Sequence, residues 1–350
     1  MRKVTVNASK KYDILIGRGL LEQSGKLIKQ AAGGSCAAII TDSNVAPLYM
    51  QTLRSSLEAA GYRVVTHIFE AGEANKNIDT FAEILNFLAA NRLDRTDVIA
   101  ALGGGVTGDM AGFAASVYLR GIRFVQLPTT VLAAVDSSVG GKTAIDLPAG
   151  KNLAGAFYQP ELVICDTDTL NTLPEREYGS GFAEIIKYAV IAEPKLLDMI
   201  KTPERDIDEI IETCVKIKKD IVEADEFEAG SRQLLNFGHT IGHAVEKASG
   251  FKLLHGEAVA VGMSMIAKAA VRKGICTKEC LEDIIRACRA AGLPVEASYS
   301  HELLMNMICS DKKVRGNTIN VILPEYTGKC EISNITIEEM SSLLDMALQE

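Results

Sequence analysis

The stretch TDVIAALGGGVTGD, residues 96–109, decides the fold of the first half of the chain. It begins as an apolar strand pattern, turns through three glycines and continues as a helical pattern. Gly103, Gly105 and Gly108 match GxGxxG, whose glycines let backbone N–H groups approach a pyrophosphate at a helix N-terminus. The match is weakened because the loop follows the fourth or fifth predicted strand, and no acidic residue lies about 20 positions later. A tight turn without a ligand is the alternative.

Strands and helices alternate on both sides of this loop. Apolar runs at 36–42, 62–70 and 122–128 are predicted strands, and residues 45–61 and 77–93 are predicted helices. This alternation predicts a parallel sheet covered by helices on both faces. We expect antiparallel pairing between residues 4–8 and 12–17, and again within residues 142–157.

The pattern changes near residue 172, after which the helical period dominates almost to the end. The exception is a predicted β pair at 318–325 and 329–335. The sequence therefore predicts two domains. Residues 1–172 form a Rossmann-like, cofactor-binding α/β domain, and residues 173–350 form a mainly α-helical domain for metal and substrate.

The composition is that of an ordinary globular protein, with 47% hydrophobic and 23% charged residues. A formal net charge of −8 and the absence of tryptophan disfavour nucleic acid and anionic membranes as partners. The N-terminus lacks a signal-peptide pattern, so we expect a cytoplasmic protein. The eight cysteines include no CxxC pair, and we interpret them, Cys276 and Cys280 included, as reduced thiols.

Three charged residues occupy positions where the helical pattern expects apolar ones. Glu184 and Lys187 are the only charges in GFAEIIKYAVIA (181–192), and they lie three apart on one helix face. Lys218 falls on the apolar stripe of the helix at 207–222. Buried charges are costly unless they are paired or bind something, so these are either internal ion pairs, or a lysine reaching solvent, or parts of a functional cleft.

Three of the five histidines, His239, His243 and His255, fall within 17 residues. The first two have the i, i+4 spacing of helical zinc ligands, and glycines beside them leave room for something to approach. A catalytic zinc takes three N or O ligands and keeps one open position. His255 and a carboxylate, Glu184 or Glu257, would complete such a set. The alternative is three histidines that cap helices or fill the core.

Together these segments resemble the 3-dehydroquinate synthase family over nearly the whole chain. The most specific blocks are GGGVTGDMAGFAASVYLRGI, PTTVLAAVDSSVGGKTAIDLPAGKNLAGAFYQP, GFAEIIKY, DEFEAGSRQLLNFGHTIGHAVE, HGEAVAVGM and the DKK at 311–313. The resemblance implies an NAD-binding domain, a helical metal domain and an active site in the cleft between them. It also implies zinc or cobalt as the metal, and a homodimer.

The resemblance assigns roles residue by residue. The implied metal ligands are Glu184, His239 and His255, so that Glu257 is no longer a candidate. The implied NAD contacts are Asp42, Asn44, Glu73, Lys76, Gly104, Gly105, Asp109, Thr129, Thr130, Lys151 and Thr172. Asp42 and Asn44 lie in ITDSN, which is equally typical of a turn. The implied substrate contacts are Arg120, Asp136, Lys142, Asn152, Lys187, Lys218, Arg232, Asn236 and one of Lys312 and Lys313. The implied catalytic residues are Lys142, Asn152, Lys187, Lys218, Arg232 and Asn236 from that set, with His243 and Glu228 as candidates for proton transfer. A core histidine and a solvated glutamate are the alternatives for the last two.

The implied reaction converts 3-deoxy-D-arabino-heptulosonate 7-phosphate to 3-dehydroquinate and phosphate. It proceeds by transient oxidation with NAD, elimination of phosphate, re-reduction, ring opening and intramolecular aldol closure. An anionic sugar acid phosphate explains why an acidic protein gathers lysines and arginines. Two alternatives remain: a sister sugar-phosphate cyclase that makes an inosose or a valiolone, and a metal-dependent polyol dehydrogenase. A regulator that only binds metal or nucleotide would make the lysine set incidental.

Overall fold

The computed structural model describes residues 1–202, 204–309 and 314–349. The strands are β1 (Arg2–Asn7), β2 (Lys11–Gly17), β3 (Cys36–Asp42), β4 (Arg63–Phe69), β5 (Val98–Gly103), β6 (Arg123–Pro128), β7 (Lys142–Leu147), β8 (Gly150–Phe157), β9 (Leu162–Asp166), β10 (Val314–Arg315), β11 (Thr318–Tyr326) and β12 (Lys329–Thr336). The helices are α1 (Ser24–Ala32), α2 (Gln51–Ala59), α3 (Ile78–Ala90), α4 (Gly105–Val117), α5 (Glu175–Ile191), α6 (Lys195–Lys201), α7 (Ile207–Ala224), α8 (His239–Ala248), α9 (His255–Arg272), α10 (Lys278–Ala290), α11 (His301–Cys309) and α12 (Ile337–Leu348).

The chain divides into two compact units. The first contains Met1–Leu173 and Ile207–Glu226, and the second contains Pro174–Asp206 and Phe227–Glu350. The predicted boundary at 172/173 lies next to the break after Leu173. The predicted second domain differs from the second unit because residues 207–226, which form α7, belong to the first. Helical periodicity showed that α7 buries one face but not which unit covers that face.

The first unit is built on a sheet whose order, over the described residues, is β1-β2-β9-β6-β5-β3-β4. β1 and β2 pair antiparallel, as predicted, and the remaining pairs are parallel. β7 and β8 form the separate antiparallel pair expected within residues 142–157. The prediction of a doubly covered parallel α/β sheet is confirmed.

Alternate residues of each central strand face the two sides of this sheet, because the side-chain period of a strand is two. In β3, Ala37 and Ile39 pack with residues of α1 and α2, whereas Ala38 and Ile40 pack with residues of α3 and α4. Burial on both faces explains the continuous apolar runs that marked these strands in the sequence.

Helices dominate the second unit, which also contains the antiparallel pair of β11 and β12 predicted from the sequence. β10 extends this pair at one edge. Helix α9 is buried along most of its length, and the helices that pack on it include α5, α8, α10 and α12. None of the described helices combines the length and apolar character that a membrane span requires.

Candidate active site

The predicted cofactor residues of the first unit gather where β3, β5 and β6 end. These strands are parallel neighbours, so their carboxyl ends lie at the same edge of the sheet, where open α/β sheets bind ligands. β3 ends at Asp42, β5 at Gly103 and β6 at Pro128. The N–H of Thr129 donates to the carbonyl of Gly103 at 3.0 Å, which ties the next loop to the glycine loop.

The glycine loop begins helix α4, with Gly104 as the residue before its first turn. A Cβ atom on Gly104 would lie 3.1 Å from the methyl group of Thr130, so a side chain would crowd the loop. Asp42 accepts hydrogen bonds both from the turn that follows β3 and from the glycine loop. One of its oxygens accepts the N–H of Asn44 at 2.9 Å, and the other accepts the hydroxyl of Thr107 at 3.1 Å.

A buried lysine organises a second group of predicted residues in this unit. The Nζ of Lys76 lies 2.5 Å from Oδ2 of Asp109 and 2.6 Å from Oδ1 of Asn152. Burial lowers the pKa of Lys76, but the carboxylates of Asp109 and Glu73 outweigh it, so that the pKa stands above its ordinary value. Lys151 forms an ion pair with Glu73 at 3.1 Å. Asn152 has a φ of 53°, a strained conformation of the kind that clusters at functional sites.

Lys218 on α7 is buried and contacts Asp136, another predicted substrate residue of the same unit. Its Nζ donates to the carbonyl of Asp136 at 2.7 Å and lies 3.1 Å from Oδ1 of that residue. Its place on the apolar stripe therefore reflects an internal contact rather than a chain that reaches solvent.

Other predicted residues of the first unit lie at its surface. Arg120 follows α4 with a φ of 64°, Lys142 begins β7, and both are exposed. Asn44 and Thr172 are exposed as well, and the Thr172 hydroxyl lies 2.5 Å from that of Tyr49. Of these, Arg120, Asn44 and Thr172 form no hydrogen bond or ion pair with Lys76, Asp109 or Asn152 in the described part of the chain.

In the second unit, Glu184 and Lys187 on α5 form an ion pair, and their side chains are only 1% and 2% exposed. Glu184 also faces two histidines, because its Oε1 lies 3.5 Å from Nε2 of both His239 and His255. The ligand atoms of Glu184, His239 and His255 all lie within 4.8 Å of one another. The predicted metal ligands are therefore brought together.

The two histidines differ in their electrostatic surroundings. His239 has its Nδ1 3.0 Å from the carbonyl oxygen of Phe237, and burial holds its pKa well below the ordinary value. The neutral imidazole is the form that binds metals. Burial also lowers the pKa of His255, but the carboxylates of Glu184 and Glu246 outweigh it and raise that pKa to about 9.

Glu257, the other carboxylate that the sequence offered, has a structural role. It forms a bidentate ion pair with Arg176, at 2.6 and 2.7 Å, and its side chain accepts the N–H of Leu254 at 2.8 Å. Leu254 immediately precedes α9, so this contact fixes the helix start that carries His255.

The glycines beside the histidines serve close packing of helices. A Cβ on Gly242 would lie 3.0 Å from the carbonyl oxygen of Ala258, and one on Gly262 would lie 2.0 Å from that of Gly238. A Cβ on Gly256 would lie 1.9 Å from the carbonyl oxygen of Ser180 on α5. The glycines beside the histidines were expected to leave room for something to approach, and helix α9 is what approaches them.

Further predicted residues of the second unit lie in the segment before α8 and on α8 itself. The amide of Asn236 donates to Oε1 of Glu228 at 2.9 Å, and Glu228 has a φ of 61°. Arg232 is fully buried. The ring of His243 stands edge-on to that of His239, with 5.4 Å between centroids. Lys312 and Lys313 lie outside the described residues.

Sequence reasoning missed Glu246, which is buried beside His255, with Oε2 3.7 Å from Nδ1 of that ring. A signal was available, because His239, His243 and Glu246 are spaced by four and three residues and therefore share one face of α8.

Comparison with known proteins identifies the family of this chain. The family model for "3-dehydroquinate synthase N-terminal" matches residues 66–180, and that for "3-dehydroquinate synthase C-terminal" matches residues 181–314. The chain belongs to the 3-dehydroquinate synthase family. A 3-dehydroquinate synthase of Streptococcus suis is 42% identical to it over 98% of this chain and 100% of the relative.

Solved structures of sister cyclases share the fold of this 3-dehydroquinate synthase family member. A 2-deoxy-scyllo-inosose synthase complexed with carbaglucose-6-phosphate, NAD+ and Co2+ superposes with a TM-score of 0.87 at 25% identity, over 98% of this chain and 99% of the other. A 2-epi-5-epi-valiolone synthase from Streptomyces hygroscopicus subsp. jinggangensis, with NAD+ and Zn2+ bound, gives 0.87 at 26%, over 99% of each chain.

Proposed function

We propose that this chain is a phosphate-eliminating carbon–oxygen lyase that converts 3-deoxy-D-arabino-heptulosonate 7-phosphate to 3-dehydroquinate and phosphate. The observation that carries the proposal is the group of Glu184, His239 and His255 with Lys187 beside it, in a chain 42% identical to a 3-dehydroquinate synthase. The sister cyclases are less similar in sequence, at 25% and 26%. The proposal includes a cytoplasmic location and a homodimer, which rest on the sequence alone.

The donor set of the second unit fits a divalent metal. Two imidazole nitrogens and one carboxylate oxygen are the three protein ligands typical of a catalytic zinc, and the same donors suit cobalt. The neutral state of His239, which burial favours by lowering its pKa, leaves a lone pair for coordination. A metal bound there would act as a Lewis acid that lowers the pKa of a substrate hydroxyl and polarises the ketone formed from it.

The first unit fits NAD at the carboxyl end of its parallel strands. Backbone N–H groups of Gly104 and Gly105 stand at the N-terminus of α4, the place where a helix binds a pyrophosphate. Asp42 ends a neighbouring strand and already accepts hydroxyl hydrogen bonds, as its contact with Thr107 demonstrates. NAD would supply the transient hydride acceptor, and it is regenerated, so the reaction has no net redox change.

The protein's own side chains would bind the substrate and move its protons. Positive charge for the carboxylate and phosphate of the substrate would come from Arg120, Lys142, Lys187, Lys218 and Arg232. Hydrogen bonds to its hydroxyl groups would come from Asp136, Asn152 and Asn236. Glu228 and His243 are the acid–base candidates, and the contact of Glu228 with Asn236 fixes the orientation of its carboxylate.

The proposal is tested by phosphate release from 3-deoxy-D-arabino-heptulosonate 7-phosphate with purified protein, NAD and zinc. We expect stoichiometric phosphate and 3-dehydroquinate with no accumulation of NADH, loss of activity on chelation, and recovery with zinc or cobalt. Steady NADH from a polyol without phosphate release would instead identify a dehydrogenase. Turnover of another sugar phosphate in preference to this one would identify a sister cyclase.

A further inference from the structure

Glu246 and Glu184 face opposite nitrogen atoms of one imidazole. The Nε2 of His255 lies 3.5 Å from Oε1 of Glu184, and its Nδ1 lies 3.7 Å from Oε2 of Glu246. The second distance is that of an ion-pair contact, slightly longer than a hydrogen bond. The side chain of Glu246 is 6% exposed, so its carboxylate is buried against the ring rather than solvated.

His239, the other histidine of the group, also has an oxygen atom facing each of its two ring nitrogens. Its Nε2 faces Glu184, and its Nδ1 lies 3.0 Å from the carbonyl oxygen of Phe237. A carbonyl oxygen only accepts hydrogen bonds, so the proton of His239 resides on Nδ1 and the lone pair of Nε2 points toward Glu184. Both rings therefore present Nε2 inward, and each has an oxygen acceptor at Nδ1.

We propose that Glu246 is a positioning residue of the metal site, which keeps the proton of His255 on Nδ1 and thereby makes Nε2 the metal ligand. The inference rests on the proposed metal site at Glu184, His239 and His255. Carboxylates that accept the outer N–H of a ligating histidine fix its tautomer and ring orientation and make it a stronger ligand.

The backbone of Glu246 is itself held firmly. Its carbonyl oxygen accepts the hydroxyl of Ser249 at 2.7 Å and the N–H of Phe251 at 3.1 Å, which closes the end of α8. Glu257 lies nearer to His255 in sequence, but its carboxylate is engaged by Arg176 and Leu254. Glu246 is farther from His255 in sequence than Glu257 is, but it provides the acceptor for Nδ1 because α8 packs against the start of α9.

The test is the dissociation constant for Zn2+ of the full chain, first stripped of metal and then titrated in competition with a chromophoric chelator. Glu246→Ala should bind Zn2+ about 10- to 100-fold more weakly than the parent. Glu246→Gln should be affected less, because its amide oxygen still accepts from Nδ1. The matched control is Glu339→Ala, which removes a glutamate that caps α12 through the N–H of Thr336. It should lower the melting temperature yet leave zinc affinity within twofold of the parent.

Zinc affinity of Glu246→Ala within twofold of the parent would overturn the inference, as would a lower melting temperature combined with unchanged affinity in the folded protein. If Glu246→Ala does not fold, Glu246→Leu decides, because it keeps the bulk of the side chain but offers Nδ1 no acceptor, and parent-like affinity in that variant overturns the inference. Failure of the parent itself to bind zinc would overturn the proposed metal site, and this inference with it.

Discussion

A single methyl group at Gly256 should separate the proposed metal ligands. Gly256 is the second residue of α9, directly after His255, and it packs on Ser180 of α5, one turn before Glu184. In Gly256→Ala the new Cβ would start 1.9 Å from the carbonyl oxygen of Ser180, whereas ordinary contact begins at 3.4 Å. The helices must therefore move apart by about 1.5 Å, because a backbone oxygen cannot rotate away.

The movement should harm metal binding far more than folding. Overpacking costs about 1–3 kcal/mol, but alanine is favoured over glycine in a helix by about 1 kcal/mol, so the two effects partly cancel in the free energy of unfolding. Zinc ligands tolerate only about 0.2 Å around their normal distances, and a displacement of 1.5 Å exceeds that several-fold. We expect zinc affinity to fall at least 100-fold while the metal-free chain stays folded.

The assay is a zinc titration of the metal-free protein, accompanied by thermal melting. The control is Ser180→Ala, which removes the acceptor of the Gly256 N–H at the same contact, 3.2 Å away, without adding volume. It should cost stability by about 1 kcal/mol and leave zinc affinity nearly unchanged. Gly256→Ala with the affinity of the parent would refute the argument that this close approach sets the spacing between Glu184 and His255.

Three further predictions concern buried and paired charges. Lys76→Met should lower the free energy of unfolding, measured in urea, by about 3–5 kcal/mol, because it leaves the Asp109 carboxylate unpaired. Adding Asp109→Asn to this variant should restore most of the lost stability. If the two substitutions instead destabilise the protein additively, the pairing is contradicted. Lys187→Met should keep the circular dichroism spectrum and lose at least about 100-fold in turnover, so turnover equal to the parent would remove its assigned role. Ion pairs with Lys216 and Arg2 outweigh burial to lower the pKa of Glu212, so Glu212→Gln should lower the melting temperature at pH 7. That difference should shrink as pH falls below 4.5 and through the lowered pKa, and a constant difference would exclude the ion pairs as its cause.

The strands and helices of the first unit were predictable because their signals are local. Continuous apolar runs and glycine turns are properties of short windows, and they predicted β3, β5 and β6 with nearly their observed bounds. The order of the sheet was not predictable in this way. β9 pairs with both β2 and β6. Its pairing with β2 joins segments that lie more than a hundred residues apart in the chain, and no local pattern predicts such a contact.

The assignment of α7 to the first unit has the same physical origin. Glu212 lies 2.6 Å from a guanidinium nitrogen of Arg2, and Glu223 accepts the N–H of Asn7 at 2.6 Å. Both contacts join the helix to the first strand of the chain. An amphipathic pattern predicts that a helix is covered but carries no information about the covering segment, so the sequence boundary at 172/173 left α7 in the second domain.

Some residues of the candidate metal site were predictable from the sequence, whereas others are identified only by the packing of the helices. Histidines and a charged pair on an apolar helix are conspicuous, because such residues are costly to bury without a purpose. Gly256 allows α9 to lie close to α5, and Glu246 reaches from α8 to His255 at the start of α9. Both roles depend on how α9 packs against its two neighbouring helices. A glycine in a helical segment and a glutamate near a helix end are ordinary in a sequence. Only the packing distinguishes them.

The charges around the two histidines explain why a metal and an anionic substrate belong together. Glu184 and Glu246 contribute two negative charges. Lys187 and His255, whose raised pKa of about 9 keeps its imidazole protonated at pH 7, contribute two positive charges, so without metal these four groups sum to zero. A buried site with no net charge gives a sugar acid phosphate little attraction. A divalent cation bound by Glu184 and both histidines displaces the proton of His255 and raises the sum to +1, which attracts the same substrate. We therefore expect the metal to govern affinity for substrate as well as the chemical step, so that a metal-free chain binds the phosphate ester weakly even with Lys187 in place.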